Sequence, residues 1–499
     1  MRKLFTILLL LLPGTLAFAH VGSADVFYEG DAGPYHLFVT VRLPQVVPGI
    51  AEIEVRSALP DVESIRVVPL RLSGPGSNLP SVPDLAQRSK KDPQFFVSSL
   101  WFMEFGALQV RMEVNGDKGK AEISIPVASF ARKSLPMARW LSGLLAVVFL
   151  FLTLGAVLIP GAIVTEGTVA PGAVPPSSNR RRARIVMAIA LTLALLTLYQ
   201  NRAAWNVQAA MYDRYVDLLK PPQAEVKLID GNRLVIRPAG PIMVPVVGQD
   251  GVANEVNMDQ LLPDHGHVMH LVLVSMPGMG TMFHLHPIRA GGVFSERLPA
   301  MPAGDYRVFG DIVDRNGYPW TLIGKVQLPT IKGTALVGDD SDWQGAQLTD
   351  PISETTVSYL PDGARMVWER GNAPLKANAP ADLRFRVEEK DGTPAHDLEP
   401  YMGMVAHAEI ICTDLSVFAH IHPAGSMSMA ALDLAQAGLM VRHAPGDRGM
   451  AMEMAQSSRP QSPEFKFPYG FPHPGDYRIF VQIKRLGRPE GAAFDAHVQ

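Results

Sequence analysis

Apolar and polar positions change their rhythm several times along the chain. Phe5 to Leu12 is an unbroken apolar run behind Arg2 and Lys3, and Ala17-Phe18-Ala19 follows with a small-x-small ending. That order predicts a signal peptide over residues 1–19, with His20 first in the mature chain. HLFVTVRLP and IAEIEVRSA then alternate with a period of two, and ALQVRMEVNGDKGKAEISIPV reads as a hairpin about an Asn-Gly-Asp turn. The pattern predicts a β-sandwich over 20–134. Trp140 to Thr165 carries no charge and is long enough to cross a bilayer, and Ile185 to Asn201 sits at the short end of that range. Arg180, Arg181, Arg182 and Arg184 lie between them and fit a cytoplasmic loop. Two transmembrane helices are expected over 137–202, with a helical extension over 203–222. The flanking segments then lie outside the cytoplasm.

Alternation resumes beyond the helices as a weak internal repeat, with modules expected over 223–332 and 352–499. Each copy carries a histidine-rich segment and later the strand start Gly-Asp-Tyr-Arg, at 304–307 and 475–478. A tyrosine at that place has the form of the tyrosine corner of Greek-key sandwiches. The second copy also has an insertion, roughly 424–465, holding Met427, Met429, Met440, Met450, Met452 and Met454. The fold expected is mainly β: three immunoglobulin-like β-sandwich modules plus a two-helix transmembrane hairpin.

The histidine segments are HGHVMHLVLVSMPGMGTMFHLHP, from His265, and HAEIICTDLSVFAHIHP, from His407. A turn near Pro277 places His270 opposite His284, with His286 on the same strand face. A turn at Thr413-Asp414 likewise places His407 opposite His420, with His422 beside it. Three converging imidazoles make a site for zinc, copper or iron. The residue three before the first histidine, His267 or Met404, is a candidate fourth ligand, and Met279 and Met402 are nearby soft donors. Each triad is expected to hold its own ion; the alternative is that the modules face each other and share one. His265 reads as an orienting or solvated group, Glu409 as a ligand or orienter, and Cys412 as a small core residue. His20, as a mature N-terminus, offers an amine and an imidazole, a tentative histidine-brace site that His36 could complete.

Composition narrows the chemistry. A net charge of −3 argues against nucleic acid as a partner. One cysteine excludes an intrachain disulfide framework and a CxxC metal site. Thioethers select Cu(I), so the 22 methionines favour copper over zinc.

The order of histidine, apolar strand, turn, F-x-H-x-H-P and Gly-Asp-Tyr resembles the small extracytoplasmic β-sandwich modules called YtkA-like and FixH-like, and more distantly the CopC kind of copper-resistance protein. It is carried by His270, Phe283, His284, His286 and Pro287, and by His407, Phe418, His420, His422, Pro423 and Gly475 to Tyr477. The resemblance covers the C-terminal half and implies metal handling, often of copper. The leading reading is a protein of the bacterial inner membrane with its β modules in the periplasm. There it binds copper for tolerance, storage or delivery, and another membrane or periplasmic protein is its potential partner. Two readings stay open beside it: a zinc or copper enzyme with a three-histidine centre, and a non-metal scaffold for a membrane complex.

Overall fold

The computed structural model describes residues 25–78, 82–132, 134, 137–245, 253–344, 356–440 and 461–499. The expected signal peptide, His20, and Met450, Met452 and Met454 lie outside these residues. The fold is mainly β. Residues 131–218 form one compact unit and the chain on either side forms the other.

The smaller unit is a pair of helices, Arg139–Glu166 and Ser177–Leu218. Both are long and apolar enough to cross a membrane. The first, at 28 residues, is roughly 42 Å long, more than the hydrocarbon thickness of a bilayer. Phe151, Leu152 and Ile163 stand exposed, as lipid-facing side chains would. The second runs without a break through the segment expected as its extension. The helices pack at Gly161, where an added Cβ would lie 2.6 Å from Met187 Sδ.

The larger unit contains three two-sheet sandwiches, each around its own core. The N-terminal one pairs a sheet of Val26–Ala32, Tyr35–Arg42, Gly49–Ser57, Phe95–Phe102 and Gln87–Arg88 with one of Asp84–Leu85, Val62–Arg71, Gly106–Gly116 and Gly119–Ser129. Leu37, Ile53, Ile65, Val110 and Ile125 fill its interior. In the second, Pro319–Leu328, Gly304–Val313, His270–Met276, Thr281–Leu285 and Ser341–Gln344 form the sheet that carries the histidines. In the third, the corresponding strands are Gly475–Arg485, His407–Cys412 and Phe418–Ile421, with Arg488–Val498 on the outer side of Gly475–Arg485. Both tyrosine corners form: Tyr306 donates to the Pro302 carbonyl at 2.9 Å and Tyr477 to the His473 carbonyl at 2.8 Å.

The histidine strands are buried on both faces. Leu271, Leu273, Phe283 and Leu285 point into the second sandwich's own core. Ala408, Ile410, Cys412, Ala419 and Ile421 do the same in the third. The opposite faces meet each other. Val272, Val274, Met282 and Phe309 pack on Ile411, Phe418 and Phe480 in a separate apolar cluster. At its centre Phe309 and Phe418 stack with ring centroids 4.1 Å apart.

The insertion after the second HxHP docks on the N-terminal sandwich. Ala424 accepts from Glu29 N at 2.9 Å, and Ser426 N donates to the Phe27 carbonyl at 3.0 Å. Added at Gly425, a Cβ would clash with that same carbonyl. Met427 and Leu432 enter the N-terminal core, and the helix Met429–Met440 follows.

If the second and third sandwiches are held together through the aromatic stack, Phe418→Ala should destabilise the purified protein by roughly 3 kcal/mol, read as a lower unfolding midpoint in detergent. Phe418→Leu should recover most of the loss. An unchanged midpoint for the alanine variant would contradict this packing.

Candidate metal centre between the C-terminal modules

The hairpins bring the histidines together through a register different from the one expected. Val272, not His270, lies opposite His284, and Glu409, not His407, lies opposite His420. The loops are the reason. In the first hairpin Met279 N donates to the Ser275 carbonyl at 3.0 Å and Thr281 N to Ser275 Oγ at 2.9 Å, so pairing between the two strands stops at Val274 and Met282. In the second, Leu415 takes a left-handed φ of 63° and Asp414 Oδ1 accepts from Ser416 N at 2.8 Å, giving a four-residue loop, Thr413 to Ser416. A shift of this size preserves the face, because side chains repeat every second residue. His270, His284 and His286 still converge, and their ligand atoms lie within 4.8 Å of one another.

The second grouping departs from expectation. His407 and His422 group with His265 of the other module, while His420 groups with Glu409 and His284. The two histidine faces oppose each other. His270 and His420 have ring centroids 5.1 Å apart, and His284 and His420 5.3 Å. His265 Nε2 lies 3.4 Å from His407 Nε2. His267 stacks on His286 at 3.8 Å and stands outside these groups. Met404 is half-buried and closes a turn with Tyr401 that repeats the turn of Asp264 with His267. His36 is on the N-terminal sandwich, its ring nitrogens 2.7 Å from Asp31 Oδ1 and 3.1 Å from Glu29 Oε1. Burial lowers its pKa, but those hydrogen bonds outweigh the effect and raise it. Both ring nitrogens are engaged by carboxylates of this sandwich, away from the other histidines.

Hydrogen bonds at the rim fix which nitrogens face inward. His286 Nδ1 is 2.7 Å from Asp340 Oδ1, and His422 Nδ1 is 3.3 Å from the Met427 carbonyl. Each bond takes a proton on Nδ1 and leaves a lone pair on Nε2. His284 Nδ1 donates to Gln482 Oε1 at 2.9 Å, and His270 Nε2 to the Asp264 carbonyl at 3.1 Å. The remaining nitrogens, His270 Nδ1 and His284 Nε2, then face each other at 3.1 Å with a lone pair apiece. Two acceptors do not bond each other. Two nitrogens on one tetrahedral zinc or copper ion stand roughly 3.4 Å apart, close to this separation and to that of His265 and His407.

Several inward atoms have no hydrogen-bond partner among the described residues: His286 Nε2, His407 Nδ1, His420 Nε2, His422 Nε2 and both oxygens of Glu409. Each such buried group costs about 1–3 kcal/mol. Together they approach the whole stability of a typical domain, on the order of 10 kcal/mol. A bound cation removes that cost, because every one of these atoms can present a lone pair. A fourth group, Cys412, Asp414 and His473, differs in having its own bonds: Ser416 Oγ contacts both Asp414 Oδ1 and His473 Nε2, at 2.5 and 2.7 Å.

Burial sets the charge states. It drives His270, His407, His420 and His422 well below the usual imidazole range and His284 and His286 down to about 3. Neighbouring imidazoles add to the effect. Burial pushes Glu409 up to about 8, with the charge of Asp311 adding to it, and Asp311 up to about 7. Near pH 7 the cluster is therefore a set of neutral imidazoles, the form that binds metals.

The sequence reading omitted Asp311 and Gln482. His270 lies opposite Asp311 and His407 opposite Gln482. Each stands seven residues after the glycine of its Gly-Asp-Tyr-Arg and reaches the other module: Gln482 bonds His284, and Asp311 Oδ2 is 3.8 Å from His420 Nδ1. Their equal offsets were visible in the repeat.

A family model described as a domain of unknown function (DUF8832) matches residues 356–499. No curated protein matches the chain. Among solved structures, CopC from Methylosinus trichosporium OB3b is similar at 14% identity, covering 22% of this chain and 99% of its own, with a TM-score of 0.15. SGBP-B from Bacteroides uniformis is similar at 8% identity, covering 94% of this chain and 98% of its own, with a TM-score of 0.16. MtrC from Shewanella baltica OS185 is similar at 9% identity, covering 59% of this chain and 71% of its own, with a TM-score of 0.15. TM-scores this low carry no argument about the chain.

Acid should cost the metal-free protein the stability that its neutral histidines contribute. The folded imidazoles have lowered pKa values, so below about pH 6.5 the unfolded chain binds protons that the folded chain refuses. Each lowered imidazole therefore loses up to about 1.4 kcal/mol per pH unit as pH falls from about 6.5 toward 3. Asp264, Glu296, Asp311, Asp314, Asp340, Glu409, Glu490 and Asp495 have raised values and oppose that trend, so the comparison of wild type with a histidine variant isolates it. Between pH 7 and 5 the unfolding midpoint of chelator-treated wild type should fall relative to that of His286→Gln. A difference between the two that stays constant over that interval would contradict a neutral His286 in the folded protein.

Proposed function

We propose that the protein is a membrane-anchored copper-binding protein whose β modules face the periplasm, and that it serves copper tolerance, storage or delivery. The observation that carries the reading is the enclosed histidine cluster with inward nitrogens that lack partners. Such a donor set suits zinc, copper or iron, and affinities of divalent ions rise toward copper. Methionines at the same junction favour copper further: Met279 and Met282 are buried in the apolar cluster beside the histidines, and Met402 is 4% exposed next to Tyr401. On this reading His270, His284 and His286 hold one ion, and His265, His407 and His422 hold a second. Asp340, Gln482 and the carbonyls of Asp264 and Met427 orient the rings.

The two long helices support the anchoring. With the four arginines at 180–184, in the first turns of the second helix and not in a loop, on the cytoplasmic side, the N-terminal and C-terminal modules lie in the periplasm.

Full-length protein purified in detergent from copper-supplied cells should retain at least two copper ions per chain by mass spectrometry of metals. His286→Ala should remove about one, and His422→Ala about one. Neither residue belongs to both triads, so the losses should add in the double variant. Protein that carries zinc alone, or copper unaffected by both substitutions, would overturn the reading. Protein free of any metal would leave a scaffold role.

A further inference from the structure

The two triads leave three buried groups unused: Glu409, His420 and the second ring nitrogen of His284. Glu409 is 0% exposed and neither of its oxygens has a hydrogen-bond partner among the described residues. His420 Nε2 lacks one as well. Glu409 and His420 are cross-strand neighbours in the last module. With His284 from the other module they offer three ligand atoms within 4.8 Å of one another.

His284 thus belongs to two groups and presents a different nitrogen to each. Its Nε2 is 3.1 Å from His270 Nδ1. Its Nδ1 is 3.3 Å from Glu409 Oε1 and 2.9 Å from Gln482 Oε1. Gln482 is anchored in turn through its amide nitrogen, which donates to Ser341 Oγ at 2.5 Å. The ring is therefore held edge-on between the two groups, with a nitrogen aimed at each.

We propose, resting on the copper reading above, that a further ion sits between the modules on His284, Glu409 and His420, and that His284 bridges it to the ion of the first triad as an imidazolate. Charge balance supports the arrangement. A carboxylate and an imidazolate hold a divalent ion in an enclosed site more strongly than neutral imidazoles alone. Here it displaces the Nδ1 proton of His284 and the carboxyl proton of Glu409. Two protons leave as one divalent ion enters, and the net charge of the site does not change. The bond from His284 Nδ1–H to Gln482 is given up in the same step. Binding at the triads breaks none of the ring hydrogen bonds that orient His270, His284, His286 and His422, so the triads fill first.

The test is a Cu(II) titration of metal-free full-length protein in detergent, followed by electron paramagnetic resonance with spin counting and by proton release in weak buffer. The first two equivalents should give about two spins. The third should lower the count to about one, because an imidazolate couples its two coppers antiferromagnetically, and should release about two protons. Glu409→Gln, which preserves side-chain volume, should bind two coppers, keep about two spins and lose the proton release. His420→Ala should behave the same way. Retention of two ions shows that these variants are folded. A third equivalent that adds its own spin, or stays free in the wild type, would overturn the bridge while leaving the copper reading intact. A wild type that binds no Cu(II) would overturn both. A Glu409→Gln protein that still binds a third, coupled ion would also remove Glu409 from the site.

Discussion

A β-strand buried on both faces cannot leave either face idle. His270–Met276 and His407–Cys412 are such strands. One face of each closes a sandwich with leucine, isoleucine, alanine and phenylalanine, and the other face meets its counterpart in the opposite module. The second contact mixes an apolar patch around Phe309 and Phe418 with a polar end made almost wholly of imidazoles. Apolar burial holds the modules together, and that enclosure strips water from the histidines. Without it the rings would be solvated and weakly charged. With it they are neutral, aimed at one another and short of partners. The proposed metal chemistry follows from this packing constraint.

The contact has the character of an internal two-fold. Gln482 reaches the first histidine of the partner's HxHP, and Asp311 approaches the equivalent histidine in the other copy. The turn His265-Gly266 touches His407 and His422 of the third sandwich, while the corresponding turn at Met402 donates its backbone N–H to Asp339, next to the Ser341–Gln344 strand of the second. An isologous contact between two copies places each functional group on both partners. Here the copies have diverged, so the paired positions read His against Met and Asp against Gln. The N-terminal sandwich joins through the insertion helix, which is tied to Asp264, the residue beside His265: Asp264 Oδ1 accepts from Ala430 N at 2.9 Å. Because that helix packs on Leu72 and the N-terminal sheet, all three sandwiches touch the centre or its immediate support.

Much of this was legible in the chain. Period-two alternation and the Gly-Asp-Tyr strands marked the sandwiches, and two uncharged runs marked the helices. The shared face of His270, His284 and His286 survived a change of register, because parity and not pairing decides which way a strand residue points. Less visible was everything that depends on how modules dock. No local pattern says that His265 turns toward His407, or that Glu409 belongs with a histidine from 125 residues earlier in the chain, at position 284. The docking of Met427 and Leu432 on a sandwich 300 residues away is equally non-local, since an apolar insertion fits many surfaces by composition alone. The loops misled for a narrower reason: a left-handed Leu415 is not a residue that turn chemistry leads one to expect.

In the proposed metal-bound protein the two C-terminal modules build one shared centre from opposed sheet faces. Anomalous diffraction at the copper absorption edge, on crystals of the copper-loaded full-length protein, tests it most directly. The account predicts anomalous peaks confined to the space between the two histidine faces, with nitrogens from both modules around them. Peaks confined to separate outer surfaces, or found only on the N-terminal sandwich, would contradict it.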